Sequence, residues 1–211
     1  MPADGSMVYL SPAPLYHAAP IGWCTTAQRL GGTVVVMEKF DPEHALETIE
    51  KYKVTDSQWV PTHFVRMLKL DPEVRTRYDL SSHQRALHAA APCPVPIKRE
   101  MIEWWGPIIN EYYAGSEGVG MTLIKAEDWL THPGSVGKAI HGTLHVCDAE
   151  GEEVPAGQDG LLYFENDLIP TYHNDPEKTR EAMHPKGWMT LGDIGHVDED
   201  GFLYLTDRIH Q

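Results

Sequence analysis

Basic residues are scarce in this sequence: 17 Lys and Arg stand against 31 Asp and Glu, a formal net charge of -14 over 211 residues. A polyanion is repelled by that balance, so nucleic acid is not an expected partner, and a polyphosphate nucleotide can bind only through local donors or Mg²⁺. Cysteine is scarcer still. Cys24, Cys93 and Cys147 lie far apart and form no Cys-x-x-Cys pair, which argues against a zinc knuckle or a disulfide framework and for a reducing, cytoplasmic setting. The 12 His are scattered, with no His-Glu-x-x-His arrangement, so a metallohydrolase helix is not expected. No apolar run approaches the length that spans a bilayer. The opening Met1-Pro2-Ala3-Asp4-Gly5-Ser6-Met7 has neither the basic segment nor the apolar stretch of a signal peptide. Internal repeats and low-complexity segments are missing as well.

What is present is an ordinary globular composition, 42% hydrophobic and 23% charged, enough for one sizeable core or one core with a small satellite. Met7-Val8-Tyr9-Leu10-Ser11 predicts a strand closed by Pro12-Ala13-Pro14, and Pro20 to Leu30 a helix ending at Gly31-Gly32. Thr33-Val34-Val35-Val36-Met37 is nearly continuous apolar sequence, the pattern of a strand covered on both faces. Asp41 caps a helix with Pro42 at its first position. Val54-Thr55 and Trp59-Val60-Pro61 mark a short strand, and Thr62 to Leu68 a helix. Arg85 to Ala91 reads as a strand running into a small-residue turn, and Pro96 to Trp105 as a helix with Ile97, Met101, Trp104 and Trp105 on its apolar side. This rhythm predicts parallel crossover units.

From about Ser135 the pattern changes to short alternating runs broken at Glu150-Gly151, Asp159-Gly160 and Asp200-Gly201, as in hairpins, with one short helix capped by Asp175. Asp198-Glu199-Asp200-Gly201 lacks the rest of a calcium loop and reads as a hairpin turn. The expected fold is α/β. A parallel-sheet α/β layer is expected over residues 1–132, a small antiparallel, barrel-like β subdomain over 133–205, and the start of a hinge over 206–211.

The most informative stretch is Asn110-Glu111-Tyr112-Tyr113-Ala114-Gly115-Ser116-Glu117-Gly118-Val119-Gly120, led in by Pro107-Ile108-Ile109. It reads as a buried strand ending in a tight loop. Small residues there let backbone approach a ligand closely. A Tyr ring can stack on a planar base, a Ser hydroxyl can bond a phosphate oxygen and a Glu can hold Mg²⁺. An ordinary strand-to-helix turn with a solvated Glu fits the same residues. A second stretch separates the two readings: Gly187-Trp188-Met189-Thr190-Leu191-Gly192-Asp193, followed by Tyr204-Leu205-Thr206-Asp207-Arg208.

Together, in this order, the two stretches resemble the adenylate-forming acyl-CoA synthetase superfamily of acyl- and aryl-CoA ligases, adenylation domains and luciferases. The first looks like that family's Tyr-Gly-x-Thr-Glu motif, the second like its Trp-x-x-Thr-Gly-Asp motif and the Tyr-x-x-x-Asp-Arg beyond it. The resemblance implies ATP, Mg²⁺ and coenzyme A as cofactor and co-substrates, and a small carboxylic acid as substrate. It implies that Tyr112 and Tyr113 meet the nucleotide, Tyr113 by stacking on adenine, with the turn Ala90-Ala91-Pro92 against the same base. Ser116 would bond the α-phosphate and Glu117 would coordinate Mg²⁺, the pair acting catalytically. Asp193 would take the ribose hydroxyls and Arg208 the ribose or phosphate. His17, His63 and Gly115 would border the acyl chain.

Departures from the family matter too. Leu191 stands where the family has Thr or Ser, with Thr190 one place earlier, and alanines replace glycine in the adenine turn. The family's glycine- and hydroxyl-rich phosphate loop and its lid lysine have no counterpart here. The resemblance therefore implies an internal fragment, without the amino- and carboxy-terminal portions of its parent and inactive alone. A non-catalytic adenylate- or acyl-binding module, or a remnant with no ligand, remain the other readings. Leu-Tyr-His-Ala-Ala-Pro and Leu-Thr-Asp-Arg lean toward a fatty-acyl or steroid-acyl parent.

Overall fold

Strands and helices alternate from the start of the computed structural model, which describes residues 4–209. The first three residues of the signal-peptide expectation and the last two of the expected hinge lie outside the described residues. The chain divides into two compact units. One comprises the chain up to Glu111 together with Lys125–Leu130, the other Tyr112–Ile124 together with the chain from Thr131 onward. The motif 110–120 thus runs from one unit into the other, where a division at 132 would place it wholly in the first.

The first unit contains β1 (Val8–Ser11), α1 (Ala18–Arg29), β2 (Thr33–Val36), α2 (Pro42–Tyr52), β3 (Asp56–Trp59), α3 (Pro61–Leu68), α4 (Pro72–Arg75), β4 (Arg85–His88), α5 (Val95–Trp105), the start of β5 (Ile109–Ala114) and most of α6 (Ala126–Thr131). The strands run parallel in the order β2-β1-β3-β4-β5. Local chemistry sets the helix starts. Asp41 accepts from the His44 amide at 2.9 Å, and Pro42, whose missing N–H costs nothing at the first turn, follows it. β2 corrects an expectation. It is an edge strand of its unit with Thr33 and Val36 exposed, so its apolar run reflects β-propensity rather than cover on both faces.

β3 shows the opposite. Its polar Asp56, Ser57 and Gln58 are all buried, and buried polar groups persist only when bonded. Asp56 is bound by the Arg85 guanidinium, Nη2 to Oδ2 at 2.9 Å. Trp59 Nε1 donates to Ser57 Oγ at 2.5 Å. Trp can only donate, so Ser57 Oγ accepts there, and the same oxygen lies 2.6 Å from His83 Nε2. Burial pushes the His83 pKa down to about 4, which keeps the ring neutral near pH 7. His63 on α3 is stacked on Phe40 with ring centroids 4.0 Å apart, and burial, helped by Arg66, pushes it down to about 4 as well.

α5 carries a residue that its expected apolar side omitted. Lys98 is fully buried with Met101 and Ile102. Its Nζ donates to Glu111 Oε2 at 2.5 Å and lies 4.7 Å from the Trp129 ring centroid. His88, paired with Glu111 in the β4–β5 register, has Nε2 3.4 Å from the same carboxylate oxygen. Burial pushes the Lys98 ammonium pKa down and the Glu111 carboxyl pKa up, each opposed by the other's charge.

The second unit contains the end of β5, then β6 (Met121–Ile124), β7 (Lys138–His141), β8 (Thr143–Cys147), β9 (Gly160–Glu165), α7 (Pro176–Glu181), β10 (Met189–Val197) and β11 (Leu203–Arg208). β6 and β7 pair antiparallel, and a four-stranded antiparallel sheet runs β11-β10-β9-β8. One core cluster gathers Val119, Phe164, Ala182, Met189 and Leu191, another Val136, Val146, Leu162 and Leu203. The 198–201 turn is a hairpin turn: Asp198 Oδ1 accepts from the Asp200 amide at 3.0 Å and the Phe202 amide at 2.8 Å. β11 continues to Arg208, so the first residues assigned to a hinge are strand. Among the described residues no helix is long and apolar enough to cross a membrane.

Two outcomes follow for the first unit. Lys98→Met leaves Glu111 buried without its partner, and we expect roughly 3–5 kcal/mol of lost stability by denaturant titration. The neutral histidines give a pH dependence of known sign. Their folded pKa values lie below the unfolded value of 6.5, so their contribution is complete above that pH and is lost as pH falls toward 4. Burial depresses His88 as well, so stability should drop by up to about 4.1 kcal/mol per pH unit in that window if all three groups take up a proton on unfolding. His83→Gln should cut the slope of the urea midpoint against pH by roughly a third.

Candidate active site

Parallel strands end on one edge of a sheet, and in the first unit the sequence-expected residues follow those ends. The strand order reverses its winding between β1 and β3, the place where open α/β sheets leave a crevice beyond their carboxyl ends. His17 follows β1 at the N-cap position of α1, exposed and making no side-chain capping bond. His63 follows β3 but is buried in the Phe40 and Trp59 rings, a core position. Ala90, Ala91 and Pro92 follow β4 and are exposed. Ala90 holds φ at +78, a left-handed conformation that costs an L-residue about 1–2 kcal/mol. The turn therefore keeps a shape suited to glycine even where glycine is absent, and backbone strain of this kind concentrates at ligand sites.

The second unit carries the loop itself. Tyr112 is buried in the core at 6% exposure, so its ring is a packing element. Tyr113 donates through its hydroxyl to Asp193 Oδ2 at 2.6 Å, and burial, reinforced by that carboxylate, pushes its pKa well up. Asp193 stands in β10 where the register with β9 slips between Thr190 and Ile194. Such a bulge turns side chains away from the regular alternation of a strand. Thr190, buried, stabilises it by accepting the Gly192 amide at 2.9 Å. The hydroxyl displaced by one place in the sequence is therefore used within the bulge, while Leu191 packs in the core. Arg208 Nε lies 3.6 Å from Asp193 Oδ1, with its side chain largely exposed.

After Tyr113 the loop closes tightly, the Gly118 amide reaching the Gly115 carbonyl at 3.2 Å. Ser116 is exposed. Gly115 is closely covered by side-chain ends: a Cβ would stand 2.6 Å from Leu191 Cδ2 and 2.7 Å from Glu117 Oε2. Glu117 thus folds over bare backbone, and its Oε1 accepts from the Tyr172 hydroxyl at 3.0 Å. A single carboxylate with hard oxygens fits Mg²⁺, which binds through one or two carboxylates and completes its shell with phosphates and water. Among the described residues no group of three or more His, Cys, Asp or Glu gathers as a metal cage, so substrate oxygens would have to supply the rest. Tyr172 and Lys98 escaped sequence reasoning. Tyr172 gave no signal beyond preceding a capped helix, whereas Lys98 shares helical phase with Met101 and Ile102 and was findable.

A strand-end loop bearing a hydroxyl and a carboxylate is thus joined through Tyr113 to a second carboxylate on a bulge. Residues 1–171 match the AMP-binding enzyme family model, and the chain belongs to that family. It is 33% identical over 97% of its length to 4-coumarate–CoA ligase-like 6 of Oryza sativa subsp. japonica, of which it covers 35%. It is 31% identical over 95% of its length to the medium/long-chain-fatty-acid–CoA ligase FadD8 of Mycobacterium tuberculosis, covering 35% of that protein. Among solved structures, the amide bond synthetase McbA of Marinactinospora thermotolerans superposes with a TM-score of 0.85 at 29% identity, over 99% of this chain and 43% of that one. The chain thus spans little more than a third of the length of the curated relatives it matches.

Gly115→Ala tests the loop's tightness. The added methyl must displace Leu191 or the Glu117 carboxylate, and we expect roughly 1–3 kcal/mol of destabilisation, read by thermal or urea unfolding. An unchanged midpoint would show that the loop yields freely.

Proposed function

We propose that the protein to which this chain belongs is an ATP-dependent acid–thiol ligase that activates a fatty or steroid-type carboxylic acid and passes it to coenzyme A. The observation that carries the reading is the Tyr113–Asp193 hydrogen bond, which unites the two motifs of the family resemblance in one unit. In this reading a substrate carboxylate oxygen attacks the α-phosphorus of ATP, and the bond to pyrophosphate breaks. The coenzyme A sulfur then attacks the acyl carbon, the bond to AMP breaks, and the thiol proton leaves to solvent. Tyr113 lies against adenine, Asp193 accepts the ribose hydroxyls, and Arg208 pairs with the ribose or phosphate. Ser116 donates to the α-phosphate. Mg²⁺ on Glu117 would offset phosphate charge. Ala90, Ala91 and Pro92 are assigned to adenine, and His17 and Gly115 to the acyl chain, while His63 serves as a core residue. A reducing cytoplasmic location suits Cys24, Cys93 and Cys147, all free thiols. A second reading, an aryl acid as substrate, is favoured by the name of the rice relative.

The 211 residues alone should not turn over, because the resemblance assigns the β- and γ-phosphate contacts and the lid lysine to sequence outside them. Removing one electrostatic element of this kind costs on the order of a hundredfold or more. Pyrophosphate release with ATP, Mg²⁺ and a panel of fatty and aryl acids should stay at background. AMP and ATP should bind within a few-fold of one another, at roughly millimolar concentration, since one stacked ring and one carboxylate barely exceed the entropic cost of association. Turnover near about 1 s⁻¹, an ordinary enzyme rate, or ATP binding ten times tighter than AMP, would contradict this reading.

A further inference from the structure

Glu117 is held by a residue that lies outside the sequence motifs. The Tyr172 hydroxyl donates to Glu117 Oε1 at 3.0 Å. Behind Tyr172 the chain is tied to itself. Thr179 Oγ1 accepts from the Tyr172 amide at 2.9 Å and donates to the Asp175 carbonyl at 2.9 Å. The Asp175 amide returns to the Tyr172 carbonyl at 3.2 Å. Lys178 Nζ lies 4.4 Å from the Tyr172 ring centroid, and Asp175 caps α7 through the Lys178 amide at 3.0 Å. The phenol is therefore delivered by a self-bonded turn at the start of a helix, a rigid mount for one hydroxyl.

On the receiving side, the two carboxylate oxygens of Glu117 differ. Oε1 is taken by Tyr172, while Oε2 lies over Gly115, 2.7 Å from where a Cβ would stand. We propose that Tyr172 is a positioning residue that fixes the Glu117 carboxylate for a divalent cation, holding Oε1 so that Oε2 is presented. This rests on the reading of Glu117 as the metal ligand. The physical need is plain. Glu has three side-chain torsions to freeze, and Mg²⁺ tolerates little departure from octahedral geometry at about 2.0–2.1 Å. A ligand held in place by a neighbour's hydrogen bond binds without paying that ordering cost itself. Tyr172→Phe removes one oxygen and leaves the ring, its cation contact and the backbone bonds of the turn in place.

The test uses Mn²⁺ alone as the probe, added to the ¹⁵N-labelled chain of 211 residues. Acidic side chains elsewhere will also take up Mn²⁺, so the readout is local: paramagnetic broadening of the Gly115, Ser116, Glu117 and Gly118 amides. In the unmodified chain these amides should broaden at roughly millimolar Mn²⁺, as a site with one protein carboxylate allows. In Tyr172→Phe the same broadening should need roughly ten- to a hundredfold more Mn²⁺, the usual effect of losing the partner that orients a metal ligand. Its melting temperature should stay within about 3 °C. Glu117→Gln should abolish the local broadening. If Tyr172→Phe titrates like the unmodified chain while Glu117→Gln loses the signal, the positioning role is wrong and the metal reading survives. If Glu117→Gln broadens like the unmodified chain, the metal reading fails and takes the proposal with it. If Tyr172→Phe shifts the metal-free amides of the loop wholesale, the role is structural and the proposal is overturned.

Discussion

The hydrogen bond from Tyr113 to Asp193 joins residues 80 apart in sequence, and the arrangement of the second unit's loop follows from it. A hydroxyl donating to a carboxylate in a half-buried setting contributes about 1.5–3 kcal/mol, enough to hold one ring and one carboxylate in register. The bond demands that Asp193 leave the regular alternation of β10, which the bulge between Thr190 and Ile194 allows. The bulge in turn places Leu191 over Gly115, and Gly115, having no side chain, lets Glu117 fold back to Tyr172. Each step is a steric or hydrogen-bonding consequence of the one before.

The first unit solves a different problem. Its sheet buries Asp56, Ser57, Gln58, His88, Lys98 and Glu111, a costly set to remove from water. Pairing answers the cost for Asp56 with Arg85 and for Glu111 with Lys98. Neutrality answers it for His63 and His83. Such a core loses stability as pH falls below about 6.5, and it is unforgiving of losing one partner. The polar β3 also gives this parallel sheet specific bonds where a purely apolar strand would have only volume to match.

Much of this was legible in residue order. Caps at Asp41 and Asp175, the hairpin turn at Asp198 and the parallel-then-antiparallel rhythm all obey local rules, and local rules survive folding. β3 was blurred because its polar residues break every apolar pattern, their burial depending on Arg85 and His83, which lie far along the chain. β2 misled because β-branched sequence reports strand propensity without saying whether a neighbour covers it. Tyr113, Glu117 and Asp193 were visible through motif resemblance, but the bond from Tyr113 to Asp193 was not. Tyr172 was invisible for the same reason: a hydroxyl bonding a carboxylate 55 residues away leaves no trace in either local sequence. His63 and Tyr112 were named from sequence as ligand contacts, whereas their side chains are buried in the core.

In the proposed function, Asp193 and the loop from Tyr113 form a nucleotide-recognition surface. Amide chemical-shift mapping with AMP tests it most directly. The account predicts saturable shifts confined in the second unit to Tyr113–Gly118 and Leu191–Asp193, lost in Asp193→Asn, whose amide oxygen can still accept the Tyr113 hydroxyl and keep the chain folded. Shifts centred elsewhere in that unit, or an Asp193→Asn titration that overlays the unmodified chain, would contradict it.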